Sequence, residues 1–415
     1  MNPDLIEDVV ARKILNSRGN FTIEVDIYTR LGLGRVAAPS GASTGKHEVV
    51  AFPDGGVDKA IIEVEETIAP ELRGMDASDQ DEIDSILSEL DGTENFSNIG
   101  GNTAVAVSLA TAKAAAASYG LPLYQFLGGS LSSELPYPIG NVIGGGVHAQ
   151  KATDIQEFLV IPVGARDITE AVATNAMVHR KIKEYIAKKY KSNLGKGDES
   201  AWAPDVGDRE ALDILVDVCD NVKSETGVEV RMGIDIAASE LYSEKKKAYI
   251  YKREGKERST EEQIDYMVDL VEEYNLFFVE DPFDEEDFEA FGKLTSRVDC
   301  IVCGDDLYVT NVDRIKRGIE LNSTNAVLIK PNQCGTLSGT YKAVNLAKKE
   351  KMTPVISHRS GETTDDTIAH LAVAFGISII KAGTVGGERI AKLNELIRIS
   401  EELGGRARMA VLPKL

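Results

Sequence analysis

The spacing of apolar positions divides the chain into two parts. Near the N-terminus, the runs Leu5–Leu15, Phe21–Thr29 and Gly34–Ala38 are rich in β-branched residues and separated by turn formers, which predicts a small antiparallel sheet. Helical periodicity over Lys59–Ile68, Asp79–Leu90 and Asn102–Ser118 follows and predicts three helices. Strands first and helices afterwards make an α+β unit. The segment from Gly128-Gly129-Ser130 to Glu134-Leu135-Pro136 reads as a linker, so the expected division is an N-terminal α+β domain over 1–130 and a C-terminal domain over 131–415.

Beyond the linker, strand and helix patterns alternate. Short apolar runs end in a polar residue at Asp235, Glu280, Asp305, Lys330, His358 and Lys381, and after Glu280 the steps are 25, 25, 28 and 23 residues. That is the length of one strand, one helix and two short loops. Helical patterns over Glu262–Tyr274, Val312–Glu320, Ser338–Lys349 and Asp366–Phe375 fill the gaps, while the charged stretch Ser243–Thr260 reads as a solvated hairpin. With further strands near Pro138–Ile143 and Ile155–Ile161, the units add up to a (β/α)8-type barrel. Functional side chains of such a barrel gather at the C-terminal strand ends, where these six polar residues fall.

Composition narrows the classes. The chain has 415 residues, 43% of them apolar, enough for a packed core, and 67 acidic against 46 basic side chains give a net charge of −21. This balance opposes a phosphate-backbone binder, so no nucleic-acid partner is expected. The start, Met1-Asn2-Pro3-Asp4-Leu5-Ile6-Glu7-Asp8, lacks a signal peptide's basic and apolar regions. The alanine-rich Thr103–Tyr119 stretch, interrupted by Lys113, reads as a buried helix and not a membrane span. Four cysteines suggest a reducing cytoplasm. Cys300 and Cys303 lie three apart in a strand, hence on opposite faces, which predicts core packing and not a shared metal.

The strand ends carry the chemistry. Asp235, Glu280 and Asp305 end successive strands, and three carboxylates converging at one barrel mouth call for a cation. Hard oxygen ligands suit Mg²⁺ or Mn²⁺, whereas single end-of-strand acids often only cap helices. Lys330 and Lys381 end later strands, where cation charge and each other's charge favour a neutral amine in at least one. A neutral lysine facing a metal-bound carboxylate is a general base for the proton α to it. His358-Arg359-Ser360-Gly361-Glu362-Thr363 reads as a phosphate cradle. Pro39–Lys46 has three residues between Gly41 and Gly45, one short of a nucleotide-binding P-loop, and reads as a loop that closes over a ligand. Glu199 sits in a glycine-flanked loop after the helix Thr169–Tyr190, and is either a general acid or part of a solvated turn. Gln156, Glu157 and His148 lie in or beside the first two barrel strands; His47 is also in a loop, while His179 and His370 fall in helical patterns and read as structural.

The chain resembles the enolases over essentially its full length. The resemblance is carried by Asn16-Ser17-Arg18-Gly19-Asn20, Ser40-Gly41-Ala42-Ser43-Thr44-Gly45, Glu280-Asp281-Pro282-Phe283, Asp305-Asp306-Leu307, Asn332–Leu337, Ser357–Thr363 and Ala391-Lys392-Leu393-Asn394, matching in order and spacing. It implies a barrel of the enolase kind, preceded by a smaller α+β capping domain, and reversible dehydration of 2-phosphoglycerate to phosphoenolpyruvate in glycolysis and gluconeogenesis. It further implies Asp235, Glu280 and Asp305 as ligands of a first Mg²⁺, with Ser43 helping to hold a second that arrives with substrate. Lys330 would take the C2 proton and Lys381 hold the carboxylate and its enolate. Glu199, supported by Glu157 and Gln156, would protonate the leaving C3 hydroxyl, and Arg359 and Ser360 would bind phosphate with His148 and His358 nearby. Assembly as a homodimer or homo-octamer is also implied.

Some positions depart from the family pattern. Its Gly-Asp-Glu-Gly-Gly reads Gly197-Asp198-Glu199-Ser200-Ala201 here, its Ala-Pro-Asn reads Ala203-Pro204-Asp205, Gly144 stands for Asn, Gln150 for Gly or Asp, and 384–389 departs from its usual Ala-Arg-Ser-Glu-Arg run. Losing glycines stiffens a loop that carries Glu199. The rival readings are another lyase or racemase of the same superfamily, which should lack the 40–45 and 357–363 segments, and an enolase-like scaffold or binding protein with lost or reduced turnover.

Overall fold

A computed structural model describes residues 3–41, 44–149, 152–190 and 195–414. The first three strands, Ile6–Leu15, Phe21–Thr29 and Leu33–Ala37, form an antiparallel sheet in chain order. The helix Gly101–Ser118 lies across it, nearly all of its residues buried. Small side chains make this approach possible: a Cβ on Gly34 would meet the Ala110 carbonyl oxygen at 1.8 Å, so only glycine fits beneath the alanine-rich helix. Before it, Gly56–Glu63 and Ala69–Leu72 are joined by a π-helical turn over Val64–Ile68, and Gln80–Asp91 completes the predicted helical part.

Eight strands then close a barrel: Tyr137–Gly144, Glu157–Ile161, Arg231–Asp235, Phe278–Glu280, Ile301–Gly304, Ala326–Ile329, Thr353–Ser357 and Ile379–Lys381, the last pairing with the first. One strand departs from a simple βα repeat. Glu157–Ile161 runs antiparallel to both neighbours, because a link of a dozen residues whose described part holds no α-helix does not return the chain to the other end of the barrel. The two helices displaced from that link, Ile168–Tyr190 and Asp208–Thr226, follow the antiparallel strand together. The reversal brings the strand's first residue, Glu157, to the mouth, in register with Asp235.

Inside the barrel, Ile139, Leu159, Phe278, Cys303, Leu328 and Ile379 belong to one apolar cluster, while Cys300 packs into the outer core, so the two cysteines do serve separate cores. The excursion after Asp235 is a three-stranded hairpin sheet, Tyr242–Ser243, Ala248–Tyr251 and Lys256–Arg258. It is not wholly solvated: Tyr249 and Tyr251 are fully buried and anchor one face of it. The N-terminal sheet reaches the barrel mouth directly. Ser40 and Gly361 exchange two backbone hydrogen bonds of 2.8 Å, and Ser17 N–H donates to the Glu362 carbonyl at 2.7 Å. Among the described residues no helix is long and apolar enough to cross a membrane.

Candidate active site

The cavity at the mouth is lined by His148, Gln156, Glu157, Glu199, Asp235 and Asp305, facing Lys330, His358, Arg359, Ser360 and Lys381. Glu280 lies just beneath it, against Lys381, and Ser43 falls outside the described residues, as does Gln150. Gly41 reaches the cavity from the N-terminal loop. Strand geometry explains the convergence: Asp235, Glu280 and Lys381 are terminal strand residues, and Asp305, Lys330 and His358 each follow one.

The two lysines divide the carboxylates. Lys381 Nζ donates to Asp235 at 2.9 Å and to both oxygens of Glu280 at 2.8 and 2.7 Å, with Glu157 at 3.2 Å. Lys330 Nζ donates to Asp305, whose other oxygen accepts from Gln333 at 3.0 Å. Burial opposes charge on both lysines, but Asp235, Glu157 and Glu280 hold Lys381 well above the usual lysine range, and Asp305 raises Lys330. With carboxylates as their immediate partners, both lysines are drawn towards the ammonium form.

Several of the buried carboxylates are nonetheless pushed towards their protonated form. Burial, then the charge of Asp235, pushes Glu280 well above the ordinary carboxylate range, and burial with Asp305 does the same to Asp281. Asp281, with a left-handed φ of 41°, accepts from the backbone N–H groups of Asp305 and Asp306 at 2.9 and 2.8 Å, aligning neighbouring strand ends. Burial and the charge of Glu199 raise Glu157, whereas Glu199, against the effect of burial, is held low by His358, Arg389 and His148. Asn141 Nδ2 donates to Glu199 at 3.3 Å, and His358 Nε2 is 3.3 Å from its other oxygen. Arg389 donates to His358 Nδ1 at 2.7 Å, which leaves the ring proton on Nε2, facing Glu199. Burial and Arg389 push His358 down to about 4, so it is neutral at pH 7. The loop bearing Glu199 is not a solvated turn. Glu199 and Ser200 both have φ of 62°, so one of the two family glycines is replaced by serine at a left-handed position.

Arg359 is held in a fork. Its Nη1 and Nη2 donate to the two oxygens of Glu48 at 3.0 Å each, and Nη1 also reaches Asn332 at 3.0 Å. Arg389, fully buried, donates to the carbonyls of Arg359 and Ser360, and Lys392 anchors Glu362, which accepts the Arg359 N–H at 3.1 Å. His179 contacts the Ser200 carbonyl and stacks on Trp202, and His370 is 3.1 Å from Glu395, both away from the cavity. Sequence reasoning missed Glu48, Asp281, Asp306, Asn141 and Arg389 as site residues. The doubled acids Glu280-Asp281 and Asp305-Asp306 were a usable signal; nothing local distinguishes Arg389 or Glu48 from surface charges.

The donor set suits a hard divalent cation. Its carboxylates outnumber the lysines, and burial with one another's charge pushes several of them above the ordinary carboxylate range. Among the described residues, the groups of three with ligand atoms within 4.8 Å of one another are His148, Glu157 and Glu199, and Asp281, Asp305 and Asp306. Asp235 and Glu280 are instead drawn onto Lys381.

Comparison with known proteins agrees with this architecture. The family model described as "Enolase, N-terminal domain" matches residues 6–127, and "Enolase, C-terminal TIM barrel domain" matches 132–412. The chain is 60% identical over 403 residues to the enolase of Methanosphaera stadtmanae, covering 96% of this chain and 97% of that protein. It is 58% identical to the enolase of Methanothermobacter thermautotrophicus, with 99% of each covered, and 52% identical to that of Archaeoglobus fulgidus, with 98% and 100% covered.

Proposed function

The chain belongs to the enolase family of carbon–oxygen lyases, and on that premise we propose that it catalyses the reversible, Mg²⁺-dependent dehydration of 2-phosphoglycerate to phosphoenolpyruvate in glycolysis and gluconeogenesis. The observation that carries this reading is one cavity in which Lys330, Lys381, Glu199 and Arg359 face each other over a surplus of carboxylates. In it, residues 1–130 act as a capping domain on the barrel domain 131–415.

Asp235, Glu280 and Asp305 would hold a first Mg²⁺, and Ser43 would help hold a second. When bound, these ions supply the positive charge that makes the C2 proton acidic by stabilising the substrate carboxylate as it gains enolate character. Arg359 and Ser360 bind the phosphate; the two bonds to Glu48 fix the plane of the Arg359 guanidinium. Lys330 Nζ, once deprotonated, takes the C2 proton, and Lys381 donates to the carboxylate oxygens. The C3–O bond then breaks with its electron pair leaving on oxygen, and Glu199 supplies the proton that releases it as water. Burial and the charge of Glu199 raise Glu157, while Glu199 is held low, so Glu157 is the neighbouring carboxyl that would pass Glu199 the proton it delivers. Gln156 and His148 line the same cavity, and the neutral His358 sets its Nε2 3.3 Å from Glu199.

The cytoplasm and assembly as a homodimer or homo-octamer belong to the same reading. The alternative, a scaffold with lost or reduced turnover, is motivated by Ser200-Ala201. Purified protein mixed with 2-phosphoglycerate and Mg²⁺ should show the ultraviolet absorbance of the enol product, abolished by a chelator and restored by Mg²⁺. Substrate binding by calorimetry without product would establish the alternative.

A further inference from the structure

The reaction assigned above depends on the turn between the first two barrel strands, which carries Gln156 and leads into Glu157. That turn is tied down by a carboxylate outside the cavity. Asp208 is the first residue of the helix Asp208–Thr226 and is 1% exposed. Its Oδ1 accepts from the backbone N–H groups of Asp154 at 2.9 Å and Ile155 at 3.1 Å. Asp208 Oδ2 has no partner among the described residues, nor do the nearby Arg258 Nη1 and Tyr266 Oη. An acid at a helix start ordinarily serves its own helix; this one spends its acceptor on a distant turn while bearing the cost of burial.

The same turn has a second tether. The Asp154 carboxylate accepts from the backbone N–H groups of Arg253 and Glu254, at 3.0 and 3.2 Å, on the hairpin sheet. Gln156 N–H then bonds to the Asp235 carbonyl at 3.1 Å, and Gly145 N–H to the Gln156 carbonyl at 2.8 Å. The turn is thus fixed from the helix on one side and the hairpin on the other, immediately before the two side chains that enter the cavity.

We propose that Asp208 is a positioning residue for the dehydration, acting through the Asp154–Ile155 amides to set Gln156 and Glu157 against Glu199. The proposal rests on the enolase reading and makes the acceptor oxygen, not the negative charge, the essential feature. Asp208→Asn keeps an acceptor in the same place, and Asp208→Ala removes it.

The test compares the two variants with the wild type in three measurements: steady-state turnover of 2-phosphoglycerate at saturating Mg²⁺, thermal melting, and backbone amide hydrogen exchange over residues 152–157. Because a displacement of about 1 Å at a reacting group can cost roughly a hundredfold in rate, Asp208→Ala should lose roughly ten- to a hundredfold in kcat with KM changed less than about threefold. Exchange over 152–157 should accelerate in that variant, and Asp208→Asn should keep both kcat and protection close to wild type. If Asp208→Ala does not fold, Asp208→Ser, whose hydroxyl is too short to hold both amides, takes its place with a smaller loss in the same direction. Equal losses in the Ala and Asn variants would overturn the proposal, as would faster exchange with unchanged kcat. A wild type without turnover would instead overturn the enolase reading, leaving the exchange result to report on the tether alone.

Discussion

The two ends of the same barrel strands are built on opposite terms. Leu159, Phe278, Leu328 and Ile379 fill the interior with apolar side chains, where burial itself is the stabilising force. At the mouth, residues continuing those strands are the buried Glu157, Glu280 and Lys381 and the half-buried Lys330, whose charged forms burial opposes. Bringing such groups out of water costs several kcal/mol per ion unless partners return it. The interior therefore holds the strands together so that the mouth can hold groups that repel one another. What the difference teaches is a division of labour: stability is set below, and chemistry is assembled above from residues that would not gather there on their own.

The largest effect should come from removing the shared cation of the mouth. Lys381→Ala leaves Asp235, Glu280 and Glu157 without their ammonium partner. Turnover should fall by roughly 10³ or more, since an oriented charge at the reacting centre is lost. Melting in chelator should drop clearly, and Mg²⁺ should raise it more in the variant than in the wild type; an equal Mg²⁺ response in both would argue against a cation among these acids.

At the other end, Leu159→Ala should cost about 2–5 kcal/mol in denaturant unfolding while leaving kcat within about twofold. A large fall in kcat at preserved folding would mean that the two ends are not separable. The smallest effect is expected at Ser200→Gly. Glycine relieves a left-handed conformation worth about 1–2 kcal/mol but frees the unfolded chain by about 0.4–1 kcal/mol, so a slight gain in stability remains. Turnover should stay near wild type, because Ser200 adopts the φ that glycine would; a severalfold rise would show that the serine restrains Glu199.

Much of this was legible from period and punctuation. The βα steps located Asp235, Glu280, Asp305, Lys330, His358 and Lys381 at strand ends because each follows a short apolar run that cannot continue. The direction of Glu157–Ile161 was not legible: an apolar strand reads the same either way, and only the absence of a helix before it gives the reversal. The hairpin after Asp235 read as solvated because its charges hide two buried tyrosines. Long-range pairs such as Glu48 with Arg359, or Arg389 with His358, join residues hundreds or tens of positions apart and leave no local pattern. The protonation of the site was also out of reach, since it depends on which carboxylate lies nearest each lysine.

The central claim is that Lys330 removes the C2 proton while Glu199 serves the later loss of hydroxide. Exchange of the C2 proton of 2-phosphoglycerate with deuterated solvent, followed by NMR alongside phosphoenolpyruvate formation, tests it directly in the wild type, Lys330→Ala and Glu199→Gln. Lys330→Ala should lose both exchange and product, and Glu199→Gln should lose product while still exchanging the C2 proton. Exchange at the wild-type rate in Lys330→Ala would contradict the assignment and move the base to another residue of the mouth.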